Sequence, residues 1–226
     1  MGRVMVAVLV ILMGWGWAVA VAAATEVATF AGGCFWCMEA VYDDLPGVIQ
    51  VTSGFMGGKV PNPRYDDVAR QGTGHAEVVQ VVFDPDQISY SQLLDLFWRN
   101  VDPLDEYGQF CDRGNSYRSE IFVHSPEQQT LAEQSRQVIA DYLAAKFHKP
   151  VVTAITPAST FYPAEAYHQG YHKTHPLRYR FYRQACGRDQ RLQTLWQDFP
   201  GYSSSSPAVK SSSPRKASSS ISIAPP

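Results

Sequence analysis

Val27-Ala28-Thr29-Phe30-Ala31-Gly32-Gly33-Cys34-Phe35-Trp36-Cys37-Met38-Glu39-Ala40-Val41-Tyr42 reads as an apolar strand that breaks at two glycines and restarts as a helix. The break puts Cys34 at or near the first helical turn, where unpaired backbone N–H groups face the sulfur and favour a thiolate. Helix N-termini lower a cysteine pKa from about 8.5 to roughly 3.5–7.5. Phe35 and Trp36 place two aromatic faces beside that sulfur, an unfavourable exposure unless a substrate or lid covers them. A nucleophile with an apolar pocket and a pair of buried structural cysteines both fit these residues, since free cysteine is among the most buried residue types.

Downstream, Leu45-Pro46-Gly47 is a turn and Val48 to Phe55 alternates as a strand. An irregular loop with Gly57-Gly58 and Pro61-Asn62-Pro63 leads to one or two helical turns at Arg64 to Ala69. His75 to Phe83 is a strong strand, with His75, Glu77 and Val79 on one face and Ala76, Val78 and Gln80 on the other. Ser89, with Gln92 three residues on, opens an amphipathic helix from Tyr90 to Val101. A long loop carrying Cys111, Asp112 and Asn115 precedes a strand at Tyr117 to Val123, and loops of that length are usually functional. Ser125-Pro126 starts a helix reaching about Phe147, Val151 to Ile155 is a strand, Phe161 to His175 is a loop with a short helix, and Asp189 to Trp196 is a last helix. This order predicts an α+β fold: a two-layer α/β sandwich with a ferredoxin-like mixed sheet, helices on it and long C-terminal loops.

The chain has 226 residues, 45% hydrophobic and 18% charged, enough for one globular core. Its ends differ from the rest. Arg3, the uncharged apolar run Val4 to Val21 and Ala22-Ala23-Ala24 read as a secretory signal over residues 1–24, cleaved after Ala24; an uncleaved membrane anchor is the other reading. Residues 202–226 hold eleven serines and four prolines, a composition expected to stay disordered, which leaves 25–201 as the domain. Without Arg3 the net charge is −3, and nothing in that balance suggests nucleic acid. The expected location is therefore exported, periplasmic or secreted, with membrane contact only if the signal is retained.

Four cysteines in an exported chain, Cys34, Cys37, Cys111 and Cys186, would ordinarily suggest structural disulfides, but a core of this size does not need them. A redox role stays open. His75, His168, His172 and His175 lack ligand spacing apart from the His168 and His172 pair, and read as polar loop residues rather than a metal site.

Four stretches exceed what packing requires: Gly33-Cys34-Phe35-Trp36, Asn62-Pro63-Arg64-Tyr65, Gly72-Thr73-Gly74-His75-Ala76-Glu77 and Asp112-Arg113-Gly114-Asn115-Ser116-Tyr117-Arg118-Ser119. Together, over about Thr29 to Trp196, they resemble peptide methionine sulfoxide reductase A, which reduces the S epimer of methionine sulfoxide. The resemblance implies that Cys34 is the nucleophile, that Phe35 and Trp36 line the pocket for the substrate methyl, and that Tyr65, Glu77 and Tyr117 bind and protonate the sulfoxide oxygen, with Asp112 in support. It also implies a sulfenic acid on Cys34, a second cysteine that condenses with it, and an external dithiol such as thioredoxin in place of a bound cofactor. The substrate would be methionine sulfoxide in oxidised proteins, and the expected state is a monomer. Relatives differ in the second cysteine, and the order of expectation here is Cys186, then Cys37, three residues along the same helix face, then Cys111. Phe55 stands where relatives often carry tyrosine.

The chemistry suits these residues independently. A sulfoxide has a poor leaving oxygen, so thiolate attack needs an acid there, and a Glu77 enclosed among aromatics is protonated more readily than a surface carboxylate. Two alternatives remain. Cys34-Phe35-Trp36-Cys37 is formally the C-x-x-C of a thioredoxin-like oxidoreductase, and a non-enzymatic binding module with structural disulfides is the other.

Overall fold

The computed structural model describes residues 24–200; the expected signal before Ala24 and the serine-rich tail at 202–226 lie outside the described residues. The elements follow in the order β1 (Glu26–Gly32), α1 (Phe35–Tyr42), β2 (Val48–Met56), α2 (Tyr65–Ala69), β3 (Ala76–Phe83), α3 (Tyr90–Trp98), the short pair β4 (Gly108–Gln109) and β5 (Asp112–Arg113), then β6 (Ser119–Val123), α4 (Pro126–Phe147), β7 (Ala154–Pro157), β8 (Tyr162–Pro163), α5 (Tyr171–Thr174), α6 (Pro176–Ala185) and α7 (Arg188–Trp196).

The main sheet runs β7-β6-β1-β3-β2-β8, antiparallel except for the β6/β7 edge. Its centre, β6-β1-β3-β2, with α1 and α3 as crossovers, is the ferredoxin-like arrangement expected from the order of elements. The alternation read in β3 decides what each face does. Val79, Val81 and Phe83 join Ala28 and Phe30 in the main core under α1, α3 and α4, whereas Ala76 and Val78 pack on the other face with Ala31, Met56 and Phe122, covered by Ala158 and Phe161. Glu77 shares the helix-side face with Val79, so the period of two carries it under the start of α1.

Local chemistry sets the ends as expected. Ser89 and Gln92 form a capping box on α3, and Ser125 accepts the Gln128 N–H with Pro126 in the first turn of α4. Other bounds change: α3 ends at Trp98 rather than Val101, and Tyr117 closes a 3-10 turn ahead of β6 rather than opening the strand. Strand β7 begins at Ala154 rather than Val151, because the Val152 N–H is spent on Pro103 outside the sheet. Residues 176–185, unassigned in the sequence, form α6, opened by Pro176 and closed ahead of Gly187 at φ +66°, the proline-in, glycine-out signature of a helix.

Candidate active site

The strand-to-helix junction is built around Gly33, whose φ of +81° favours glycine and whose missing Cβ would lie 2.6 Å from Cβ of Gln109. Gln109 accepts the Asp102 N–H and donates to the Asp102 carbonyl, both at 2.8 Å, which fixes its side chain within the long loop where that loop packs against Gly33. Cys34 is the N-cap residue of α1, its carbonyl receiving the N–H of Cys37 at 3.0 Å. Its side chain makes no cap. The free Phe35 N–H is satisfied instead by Oε2 of Glu77, 3.0 Å away across 42 residues of chain.

Glu77 is 2% exposed. Burial pushes its carboxyl up to about 8; the Phe35 N–H and the neighbouring Tyr117 hydroxyl offset this in part, and the charge of Asp112 adds to it. At neutral pH this carboxyl carries a proton. Tyr65 opens α2, its N–H held by Glu165 at 3.1 Å, and Tyr117 ends the 3-10 turn of residues 115–117. Burial, with the negative charge of Glu77 next, drives Tyr65 up to about 12 and raises Tyr117 further, so both phenols keep their protons. Asp112 accepts the Tyr182 hydroxyl on α6, and burial raises its carboxyl.

The cysteines are arranged otherwise than the sequence suggested. Burial, the hydrogen bond it gives to Cys37 and the charges of Cys37, Glu77 and Asp112 hold the Cys34 thiol well above its ordinary range. The same hydrogen bond, received by Cys37, with the positive charges of Arg188 and Arg183, lowers Cys37 to about 6 despite its burial. The two sulfurs, side by side at the start of α1, exchange protons as a pair. Cys111 and Cys186, the other two candidates for the second thiol, are bonded to each other with Cα atoms 4.8 Å apart. Cys34 and Cys37 are free, buried and adjacent.

The aromatic pocket is more closed than two adjacent aromatics in a sequence suggest. Phe35 is fully buried against Phe55, Tyr65 and His168, with ring centroids 5.9, 6.2 and 5.0 Å away. Trp36 stacks on Tyr171 at 3.8 Å, meets the edge of Tyr182 and donates its indole N–H to Nδ1 of His168 at 3.1 Å. His168, read from sequence as a polar loop residue, is therefore a buried wall of this pocket with Nε2 unpartnered. His75 is also buried, its Nδ1 accepting the Gly58 N–H and its Nε2 facing the Val60 carbonyl, which fixes the glycine loop. Sequence reasoning missed Tyr171, Tyr182, Arg183 and Arg188 too. For Tyr182 and Arg183 the signal available was the run of aromatics and arginines bracketed by Pro176 and Gly187, with Tyr179 and Arg183, four residues apart, as its buried positions.

Among the described residues the group closest to a metal set is Cys111, Asp112 and Cys186, with ligand atoms within 4.8 Å of one another. With the two sulfurs bonded together, it presents one carboxylate and no thiolate.

The arrangement is a buried dithiol pair facing a protonated carboxyl and two phenols inside an aromatic cage. It suits a substrate with a polarised oxygen next to a soft, apolar atom. Comparison with known proteins agrees. The family model for peptide methionine sulfoxide reductase matches residues 26–199. The chain is 50% identical over 171 residues to the peptide methionine sulfoxide reductase MsrA of Bacillus licheniformis, covering 76% of this chain and 93% of that protein. It is 51% identical over 172 residues to MsrA 2 of Caulobacter vibrioides, covering 76% and 86%. Among solved structures, methionine sulfoxide reductase A of Corynebacterium diphtheriae superposes with a TM-score of 0.65 at 35% identity, over 68% of this chain and 76% of that one.

Proposed function

The chain belongs to the peptide methionine sulfoxide reductase A family, a thiol-dependent reductase of the S epimer of methionine sulfoxide, and on that premise we propose how its residues divide the work. Cys34 attacks the sulfoxide sulfur as the thiolate, its proton released at the start of α1. Glu77 delivers its proton to the sulfoxide oxygen, and Tyr65 and Tyr117, both kept protonated, donate to the same oxygen. As the new Cys34–sulfur bond and the sulfur–oxygen bond of the protonated adduct both break, the hydroxyl passes to Cys34 as a sulfenic acid and the thioether of methionine is released. Phe35 and Trp36 enclose the substrate methyl, and Asp112, fixed by Tyr182, borders the pocket.

Cys37 then attacks the sulfenic sulfur, releasing water and leaving a Cys34–Cys37 disulfide. The observation that carries this assignment is the free, buried pair at the start of α1, with Cys186 engaged by Cys111. It reverses the order expected from sequence, which set Cys186 ahead of Cys37. An external dithiol of the thioredoxin type returns the pair to the reduced state. We further propose that the reaction occurs outside the cytoplasm, on methionines of exported proteins, because of the signal-like stretch at 1–24. The thioredoxin-like alternative rested on the C-x-x-C spacing alone and accounts for neither Glu77 nor the two phenols.

The deciding experiment is turnover of the separate S and R epimers of a blocked methionine sulfoxide, with dithiothreitol as reductant, by wild type and Cys34→Ser. Reduction of the S epimer alone, abolished by the substitution, is expected; turnover of neither epimer would overturn the reading.

A further inference from the structure

Helix α6 presents Leu177 and Phe181, 74% and 75% exposed, four residues apart and hence on one face. Together with Arg178, Tyr171, Tyr182 and Trp36 they line an open groove of about 440 Å³. Two large apolar side chains left in water at one spot mark an interaction surface rather than packing. The groove is continuous with the catalytic pocket, since Trp36 and Tyr182 belong to both: Trp36 follows the nucleophile by two residues, and Tyr182 holds Asp112. It is also held in register with the nucleophile, because the Cys111–Cys186 bond and the Tyr182–Asp112 hydrogen bond moor α6 to the loop pinned under Gly33.

We propose that this groove receives the stretch of oxidised polypeptide next to the methionine sulfoxide, with an apolar residue against Leu177 and Phe181 and an acidic residue toward Arg178. The proposal rests on the reductase reading and deepens it. A methionine sulfoxide side chain that reaches Cys34 leaves its own backbone at the rim formed by Trp36 and Tyr182, so the neighbouring residues of that chain are the ones delivered to the groove. Arg178 at its edge supplies the charge preference.

The test uses pre-reduced protein in single turnover, so that no electron donor takes part. The substrates are blocked methionine sulfoxide, a peptide with the sulfoxide flanked by leucine and aspartate, and the same peptide with serine and lysine instead. Phe181→Ser and Leu177→Ser are expected to raise half-saturation for the leucine–aspartate peptide about tenfold, the scale of burying one large apolar side chain, while leaving blocked methionine sulfoxide unchanged. Arg178→Glu is expected to invert the preference between the two peptides. Equal effects on peptide and blocked amino acid, no effect on either, or an effect seen only in steady state with a protein reductant would each overturn the proposal, the last by assigning the groove to the donor. Wild-type protein that reduces none of the three substrates would instead overturn the reductase reading, and this proposal with it.

Discussion

The backbone N–H of Phe35 donates to the Glu77 carboxyl at 3.0 Å, so the residue placed to act as the acid also caps the helix that presents the nucleophile. One hydrogen bond ties β3 to α1 and sets the distance between acid and sulfur. Cys34, at the N-cap position, is thereby spared from capping and keeps its sulfur available.

Glu77→Gln separates the two roles. The amide oxygen still accepts the Phe35 N–H, so thermal melting should move little. Loss of the proton donor should reduce S-epimer turnover by about 10²–10⁴-fold, the usual contribution of a positioned acid. A large fall in melting temperature with turnover retained would show that the cap, not the acid, is what matters.

The pH dependence has a definite sign. With its folded-state pKa raised to about 8, Glu77 is a competent acid below that value and is lost as the pH climbs through it. The rate of a pre-reduced enzyme in single turnover should therefore fall above about pH 8 in wild type, and Glu77→Gln should lack this limb. Stability follows the same direction. The folded protein holds a proton that the unfolded carboxyl, near 4.5, releases, so this group's contribution is complete below about 4.5 and is lost as the pH rises to about 8.

Cys37→Ser should reduce one substrate per active site and then stop. A sulfenic acid that labels with a cyclic diketone should accumulate on Cys34, because the adjacent thiol that would displace water is gone. A disulfide from Cys34 to another cysteine in place of the sulfenic acid, formed without added thiol, would contradict the assignment.

Cys186→Ser should retain turnover with dithiothreitol but melt earlier. The bond it removes closes a span of 75 residues between Cys111 and α6, and such cross-links typically contribute about 2–4 kcal/mol. Calorimetry of wild type and variant under matched oxidising conditions measures the difference.

Gly33→Ala combines a positive φ with a Cβ placed 2.6 Å from Gln109. A destabilisation of about 1–3 kcal/mol is expected from the backbone alone, with activity falling further as the Cys34 turn shifts. Denaturant titration beside single-turnover kinetics separates the two effects.

Much of this was legible in the chain itself because it depends on neighbours in sequence. Gly32-Gly33 ends β1, Ser89 with Gln92 starts α3, and the alternation of β3 sorts Glu77 from Ala76 and Val78. Helix α6 was not read, although Pro176 and Gly187 bracket it, because its aromatic and arginine side chains blur the apolar stripe a helix normally shows. His168 was misread for a related reason: its burial comes from Trp36, 132 residues away, and no local pattern encodes that contact.

By itself the sequence determined the strand, the glycine break and the helix that expose a cysteine beside two aromatics, together with the order of elements that makes the sheet; these follow from backbone preferences and side-chain period over a few residues. The tertiary structure alone decided where charge and protons reside. Glu77 holds its proton because the fold removes water from it, the Cys34–Cys37 pair feels Arg183 and Arg188 because these arrive from the far end of the chain, and Cys186 is committed to Cys111 because α6 docks on the loop below Gly33. Electrostatics and disulfide choice are set by distances in space, and those exist only once the chain has folded.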